Sequence, residues 1–235
     1  MLISTRGIIL TKTKFGESSI ICKVFTQQYG VKSYIAKGVR KKRASLSYNL
    51  FVPLYRVEVV AYNKEGKDLN ILKELSLNSL NQPVNYQDPR KSAIAMFFAE
   101  VLSSTLSHDE PDEDLFSFIS SISEEIEEID KNLAAFIVYK LWRLTRYLGI
   151  MPALPAMKSN CFFHLNSGEF MGSVSTEYPI NSHESMEIIE LLSNIEAPNK
   201  KLTNNALEIA LNYLKYHISF FKSPKSLEVL KSVFK

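Results

Sequence analysis

The sequence is poor in the residues that cross-link a chain, carry it through a bilayer or perform covalent chemistry. It holds two cysteines, Cys22 and Cys161, far apart in 235 residues. Two such cysteines make no disulfide framework, and reduced thiols in a cytoplasm are the expectation. No apolar run approaches the roughly 20 residues of a membrane-spanning helix, because Lys, Glu or Ser interrupts each one, so no membrane partner is expected. No signal peptide is expected either, since Met1–Arg6 leads straight into a strand-like pattern. His108, His164, His183 and His217 are scattered, and there is no P-loop, dinucleotide fingerprint or His-Glu-x-x-His pair. Neither catalytic residues nor enzymatic activity is expected. Internal repeats and low-complexity tracts are missing as well.

What is present is ordinary globular composition, 46% hydrophobic and 23% charged, with the charge unevenly placed. Residues 1–80 carry 14 Lys and Arg against 5 Asp and Glu, a net +9, whereas residues 81–235 carry 14 against 20, a net −6. A basic segment joined to an acidic one points to a polyanion on the first and a protein partner on the second.

The texture changes at the same place. Five short runs rich in β-branched and aromatic residues, Arg6–Thr11, Ser18–Phe25, Val31–Ala36, Leu54–Val60 and Leu69–Lys73, read as strands, with Gly16, Gly30, Gly38 and Gly66 at the turns. Five strands in so short a segment fit the partly open oligonucleotide-binding (OB) barrel. Beyond Gln82-Pro83 the period becomes helical: Asp88-Pro89 caps a first helix, and others are expected over Asp112–Ile129, Asn132–Leu148 and Ser182–Leu192. Thr203 is expected to cap a helix reaching about Phe221, and Ser223-Pro224 to open a last one. The chain is therefore expected to be an α+β multidomain protein. Its barrel would occupy residues 1–80 and a helical bundle residues 81–235, with a small hairpin inserted at about 158–173.

The strongest local signal is Lys37-Gly38-Val39-Arg40-Lys41-Lys42-Arg43, five cations on a loop after a strand, where positive potential is concentrated and glycine permits close approach. Lys12, Lys14, Lys23 and Lys32 add charge from nearby strands. Solvated lysines that merely maintain solubility are the plain alternative, but the sign difference between the two segments favours a nucleic-acid site. In the third strand Lys32 and Tyr34 share a face opposite Val31 and Ile35; with the aliphatic pair in the core, Tyr34 would point outward to stack on a base while Lys32 meets its phosphate. The other aromatics of the segment, Phe15, Phe25, Tyr48, Tyr55 and Tyr62, are expected mostly in the core. Lys140, Arg143 and Arg146 form a possible secondary basic face on a bundle helix, a solvated face being the default. The acidic run Glu124-Glu125-Ile126-Glu127-Glu128 reads as a solvated helix face, not a metal site. Cys161-x-x-His164 has half the spacing of a zinc knuckle and no second pair follows it, so no metal is expected and Cys161 reads as a buried small hydrophobe.

Taken in order, Thr5–Leu10, Phe15–Ile21, Val24-Phe25-Thr26 with Tyr29-Gly30, and Ala36–Arg40 resemble the amino-terminal signature of the bacterial recombination mediator family RecO. Phe221-Lys222-Ser223 followed by Leu227 and Leu230 is similar to that family's closing segment. The resemblance covers essentially the whole chain, most specifically residues 5–40. It implies an OB-fold followed by a helical domain, and a cytoplasmic, nucleoid-associated protein of DNA repair. Such a protein binds single- and double-stranded DNA, anneals complementary strands, and acts with RecR to load RecA on DNA covered by single-strand-binding protein. Many members carry a four-cysteine zinc motif in the helical domain. This chain departs from that pattern, with only Cys161 there, so no cofactor is expected and packing by Phe162, Phe163 and Phe170 must hold the hairpin. Two other readings stay open: an RNA-binding OB module, since a barrel surface alone does not choose the sugar, and an interaction scaffold whose basic loop meets an acidic protein tail.

Overall fold

Alternating β-branched and aromatic residues build five strands, β1 (Leu2–Phe15), β2 (Ser19–Thr26), β3 (Gly30–Ala36), β4 (Arg56–Tyr62) and β5 (Leu69–Leu77). The computed structural model describes residues 1–41, 46–63, 68–77, 87–106, 110–156 and 161–234. Lys42, Arg43, Gly66, Gln82-Pro83, His108 and the first residues of the expected hairpin lie outside the described residues. The strands pair in the order β1-β2-β3-β5-β4, and β4 returns to β1. Only β3 and β5 run parallel. This is the expected OB-fold, closed where a partly open barrel was expected. Strand β1 outruns its expected span because it serves two neighbours: Leu2–Ile8 pair with β4 and Gly7–Phe15 with β2, with a bulge between Ile9 and Thr11. Gly7 lies where the wall has no room for a side chain, for a Cβ there would stand 2.6 Å from Val24 Cγ1. Ile3, Ile9, Val24, Val57, Val59 and Leu72 fill the interior, and Val39, Leu46 and Phe51 from the segment after β3 complete it.

Among the described residues six helices are interleaved with one hairpin: α1 (Pro89–Thr105), α2 (Glu113–Glu128), α3 (Leu133–Tyr147), β6 (Phe162–His164), β7 (Glu169–Met171), α4 (Ser182–Ser193), α5 (Ala206–His217) and α6 (Leu227–Val233). They are divided between two compact units, Met1–Glu128 with Pro224–Lys235, and Ile129–Ser223. The change of texture near residue 80 thus separates sheet from helix, while packing groups α1, α2 and α6 with the barrel.

The reason lies on the barrel's outer surface. Phe25 and Val31 face each other across β2 and β3 and are buried; the Phe25 ring lies 5.7 Å from that of Phe116 on α2. Lys23 Nζ donates to the carbonyls of Ser103, at 2.7 Å, and Leu106, at 3.4 Å, at the carboxyl end of α1. A cation there meets the negative end of the helix dipole and carbonyls that lack an intrahelical donor. Arg56 pairs with Glu124, and Lys91 donates to the Glu127 carbonyl. Helix α6 begins at Leu227, later than Ser223-Pro224 suggests, because Ser226 is its cap residue; the Ser226 N–H and hydroxyl donate to Glu100 Oε2 at 2.9 and 3.0 Å.

Asp88 caps α1 as expected, accepting the Arg90 N–H at 2.8 Å. The Arg90 side-chain and backbone hydrogen bonds hold its carboxyl at about 2, below the ordinary 3.8. Because the folded value is the lower one, the contribution is complete above pH ~4 and fades as pH falls through about 2. Asp88→Ala should cost about 0.5–2 kcal/mol. Urea unfolding at pH 7 and at pH 2.5 checks this, the variant differing from the parent much less in acid.

In the second unit, the Asn181 side chain and Glu184 form a capping box at the start of α4. Thr203 does not cap α5, which starts at Ala206 after Asn205 and ends at His217, short of Phe221. The Thr203 N–H and hydroxyl instead donate to the buried Glu187 carboxylate at 3.0 and 2.7 Å. Strands β6 and β7 form the expected hairpin. Phe163, fully buried, packs edge-on to Trp142 at 5.7 Å and lies 4.9 Å from Phe170 and 5.6 Å from Tyr213. The Phe163 N–H donates to Ser185 Oγ at 2.9 Å, and the Leu165 carbonyl meets His217 Nε2 at 2.8 Å.

Candidate nucleic-acid interface

Strand register brings most of the sequence-predicted cations to one pole of the barrel. Lys14 is paired with Ile20, and Ile20 with Ala36, so the far end of β1 and the residue that follows β3, Lys37, lie at the same level. From there Gly38, at φ +70°, turns the chain back, a conformation that favours glycine. Val39 is buried in the barrel core, which pins the loop by its one apolar residue and leaves Lys37, Arg40 and Lys41 exposed around it. The Arg40 N–H donates to the Ser18 carbonyl at 3.0 Å and its guanidinium to the Gly16 carbonyl at 3.4 Å, docking the basic loop on the β1–β2 turn. Lys12, one level lower, holds its ammonium 4.5 Å from the centre of the Tyr48 ring. Five exposed cations, Lys12, Lys14, Lys37, Arg40 and Lys41, thus share this pole with one acid of the β1–β2 turn, Glu17.

Other expectations are corrected. Tyr34 points into the barrel, not outward: it is 0% exposed, and its hydroxyl finds no hydrogen-bond partner among the described residues. Burial pushes its phenol well above the ordinary range. The physical reason is that the barrel interior claims the Cys22–Tyr34 register pair, while Val31 and Ile35 lie on the outer face, Val31 being buried there beside Phe25. Cys22 donates its thiol to the Tyr34 carbonyl at 3.6 Å, and burial raises it to about 12, which makes it unreactive. Lys32 shares the inward register with Tyr34 at the other end of β3, five residues and roughly 17 Å along the strand from Lys37. The aromatics expected in the core include three that are exposed, Phe15, Tyr48 and Tyr62. Strand register places Phe15 and Tyr62, while Tyr48 lies in a single helical turn after the basic loop.

The secondary basic face on α3 is not a single exposed stripe. Lys140 is buried, with its ammonium 5.7 Å from the Phe136 ring and 5.9 Å from that of Tyr139; Arg143 is half-buried and Arg146 exposed. The long lysine stem packs among apolar neighbours, which a sequence pattern does not reveal. Cys161 is buried, as expected of a small hydrophobe. Among the described residues no group of three or more His, Cys, Asp or Glu is placed to hold a metal ion, and no helix is long and apolar enough to cross a membrane. On α2 the stripe residues Ile122 and Ile126 are buried as expected, but of the acidic run only Glu124 and Glu128 are exposed; Glu125 and Glu127 are half-buried and Glu124 pairs with Arg56, so the run is a solvated face only in part.

Comparison with known proteins agrees with this architecture. Residues 1–80 match the family model "Recombination protein O N terminal" and residues 86–222 match "Recombination protein O C terminal". The chain is 32% identical, over the full length of both sequences, to the DNA repair protein RecO of Christiangramia forsetii. It is 31% identical to that of Flavobacterium psychrophilum and 28% identical to that of Bacteroides fragilis, again over the whole of each chain.

Proposed function

The chain belongs to the RecO family of DNA repair proteins, and from that premise we propose that it is a non-enzymatic recombination mediator whose barrel pole holds DNA strands by their phosphates. The observation that carries the reading is the pole itself: five exposed cations gathered at one end of an OB barrel, with Arg40 docked on the β1–β2 turn. Lys42 and Arg43, contiguous in sequence with that loop, belong to the same proposed site. Annealing then follows from electrostatics. Neutralised phosphates repel each other less, two complementary strands can approach, and base pairing supplies the specificity. In this reading single- and double-stranded DNA both bind, and the protein acts in the cytoplasm at the nucleoid. The acidic remainder of the chain meets protein partners, RecR and single-strand-binding protein directly and RecA indirectly, and no metal or cofactor takes part.

Annealing of complementary oligonucleotides, bare and coated with single-strand-binding protein, at 50 and 200 mM salt tests this. The protein should accelerate annealing of both, much more at the lower salt. Equal rates with and without the protein would overturn the reading, and preference for matched RNA strands would replace it with an RNA-binding role.

A further inference from the structure

The closed barrel leaves a band of apolar side chains on its outside that the basic pole does not use. Ile21 is paired with Ile35, Ile35 with Ile71, and Ile71 with Tyr62, so these four lie side by side across β2, β3, β5 and β4. Their chain neighbours Cys22, Tyr34, Leu72 and Ala61 are buried in the interior, and strand alternation therefore turns the row outward. At the other end of β2 and β3 the outward apolar pair Phe25 and Val31 is buried. Here the row is open: Ile71 is 42% and Tyr62 46% exposed, while Ile21 and Ile35 are half-buried. A contiguous exposed apolar patch on a small domain marks an interaction site.

The charges that border it identify the occupant. Lys37 follows Ile35 by two residues, just past the end of β3, and Lys73, the extra residue of a bulge opposite Val60 and Ala61, follows Ile71 by two on β5. Lys37 belongs to the cationic pole, and both cations are exposed. Lys73 meets Glu74 at 3.0 Å, an exposed pair that a competing phosphate can displace at little cost. Apolar and aromatic side chains flanked by cations suit a strand whose bases are unstacked and whose phosphates lie alongside. A duplex hides its base faces and gains nothing from such a row. Nor does the row offer a strand edge to a peptide, because every neighbouring strand is already paired around the closed barrel.

We propose that Ile21, Ile35, Ile71 and Tyr62 form a stacking platform for unpaired bases, beside a phosphate track that enters through Lys37 and Lys73. This rests on the reading of the pole as a phosphate site, and adds to it a preference for single strands independent of salt. The test compares the full chain with Tyr62→Ala/Ile71→Ser on three fluorescent probes of equal length: oligothymidine, duplex DNA and an abasic single strand. Oligothymidine affinity should fall about tenfold, with its salt slope unchanged and with duplex and abasic affinities unaltered. Tyr62→Trp, which keeps a ring, should bind oligothymidine at least as tightly as the parent. Retention of oligothymidine affinity in the double variant, loss on all three probes alike, or loss in Tyr62→Trp as well, would each overturn the platform alone. A parent protein that binds no probe in dilute buffer would overturn the phosphate site together with it.

Discussion

Replacing Lys37, Arg40 and Lys41 together with Ala lowers the affinity for single-stranded DNA and flattens its dependence on salt. Each cation that neutralises a phosphate on a single strand contributes roughly 0.7 to the slope of log affinity against log salt, so three removed contacts reduce the slope by about 2. Between 50 and 200 mM salt the parent should then lose roughly twentyfold more affinity than the variant. Fluorescence anisotropy titrations at four salt concentrations measure both slopes, and parallel lines would remove the loop from the site. The fold should survive, because Val39, the residue that anchors the loop in the core, is kept and the three replaced side chains are exposed. Lys23→Ala is the instructive contrast. That cation has the Ser103 carbonyl of α1 and the Leu106 carbonyl just beyond it as its partners, so its loss should cost about 1.5–3 kcal/mol of stability and leave the slope as it was. Lys14→Ala, at the pole, should do the reverse.

That contrast shows what a sequence can and cannot say about a site. The OB-fold was legible because period-two runs separated by glycine turns have few other solutions, and α2, α3 and α4 were legible to within a residue or two from their apolar stripes and caps. The basic loop was legible as five cations in seven residues. What the sequence left undetermined was which side of each strand faces inward. In β3 both alternations contain large apolar residues, Val31 and Ile35 on one and Tyr34 on the other. Closure of the barrel, a property of all five strands together, put Tyr34 inside. Lys23 reads in the sequence as one more charge of the basic segment, yet its partner lies 80 residues away along the chain, as the partner of Arg56 lies 68 away. Pairing over such separations leaves no local trace. The apolar row has the same character: each member is an ordinary strand residue, and only the register of four strands makes them neighbours.

Phe163→Ala should be the most destabilising single change in the second unit, and it asks whether apolar packing or a metal holds the β6–β7 hairpin. The ring is 0% exposed and touches Trp142, Phe170 and Tyr213. Truncation leaves a cavity that Trp142, itself fixed 5.2 Å from Tyr213, cannot collapse to fill, at a cost of about 3–5 kcal/mol by urea unfolding. A hairpin tied by zinc would respond differently, since bound metal adds its binding free energy to the fold and a chelator removes it. Here EDTA should leave the unfolding midpoint unchanged, and Cys161→Val, which removes the thiol at nearly constant volume, should cost under about 1.5 kcal/mol. Two histidines near the hairpin have other engagements: His164 Nε2 meets the Ser173 carbonyl at 2.7 Å and His217 Nε2 the Leu165 carbonyl at 2.8 Å. A midpoint that fell on chelation, together with a large loss in Cys161→Val, would show that a metal shares the work assigned to the four rings. A fall in Phe163→Ala alone leaves the aromatic cluster as what fastens the hairpin to α3 and α5.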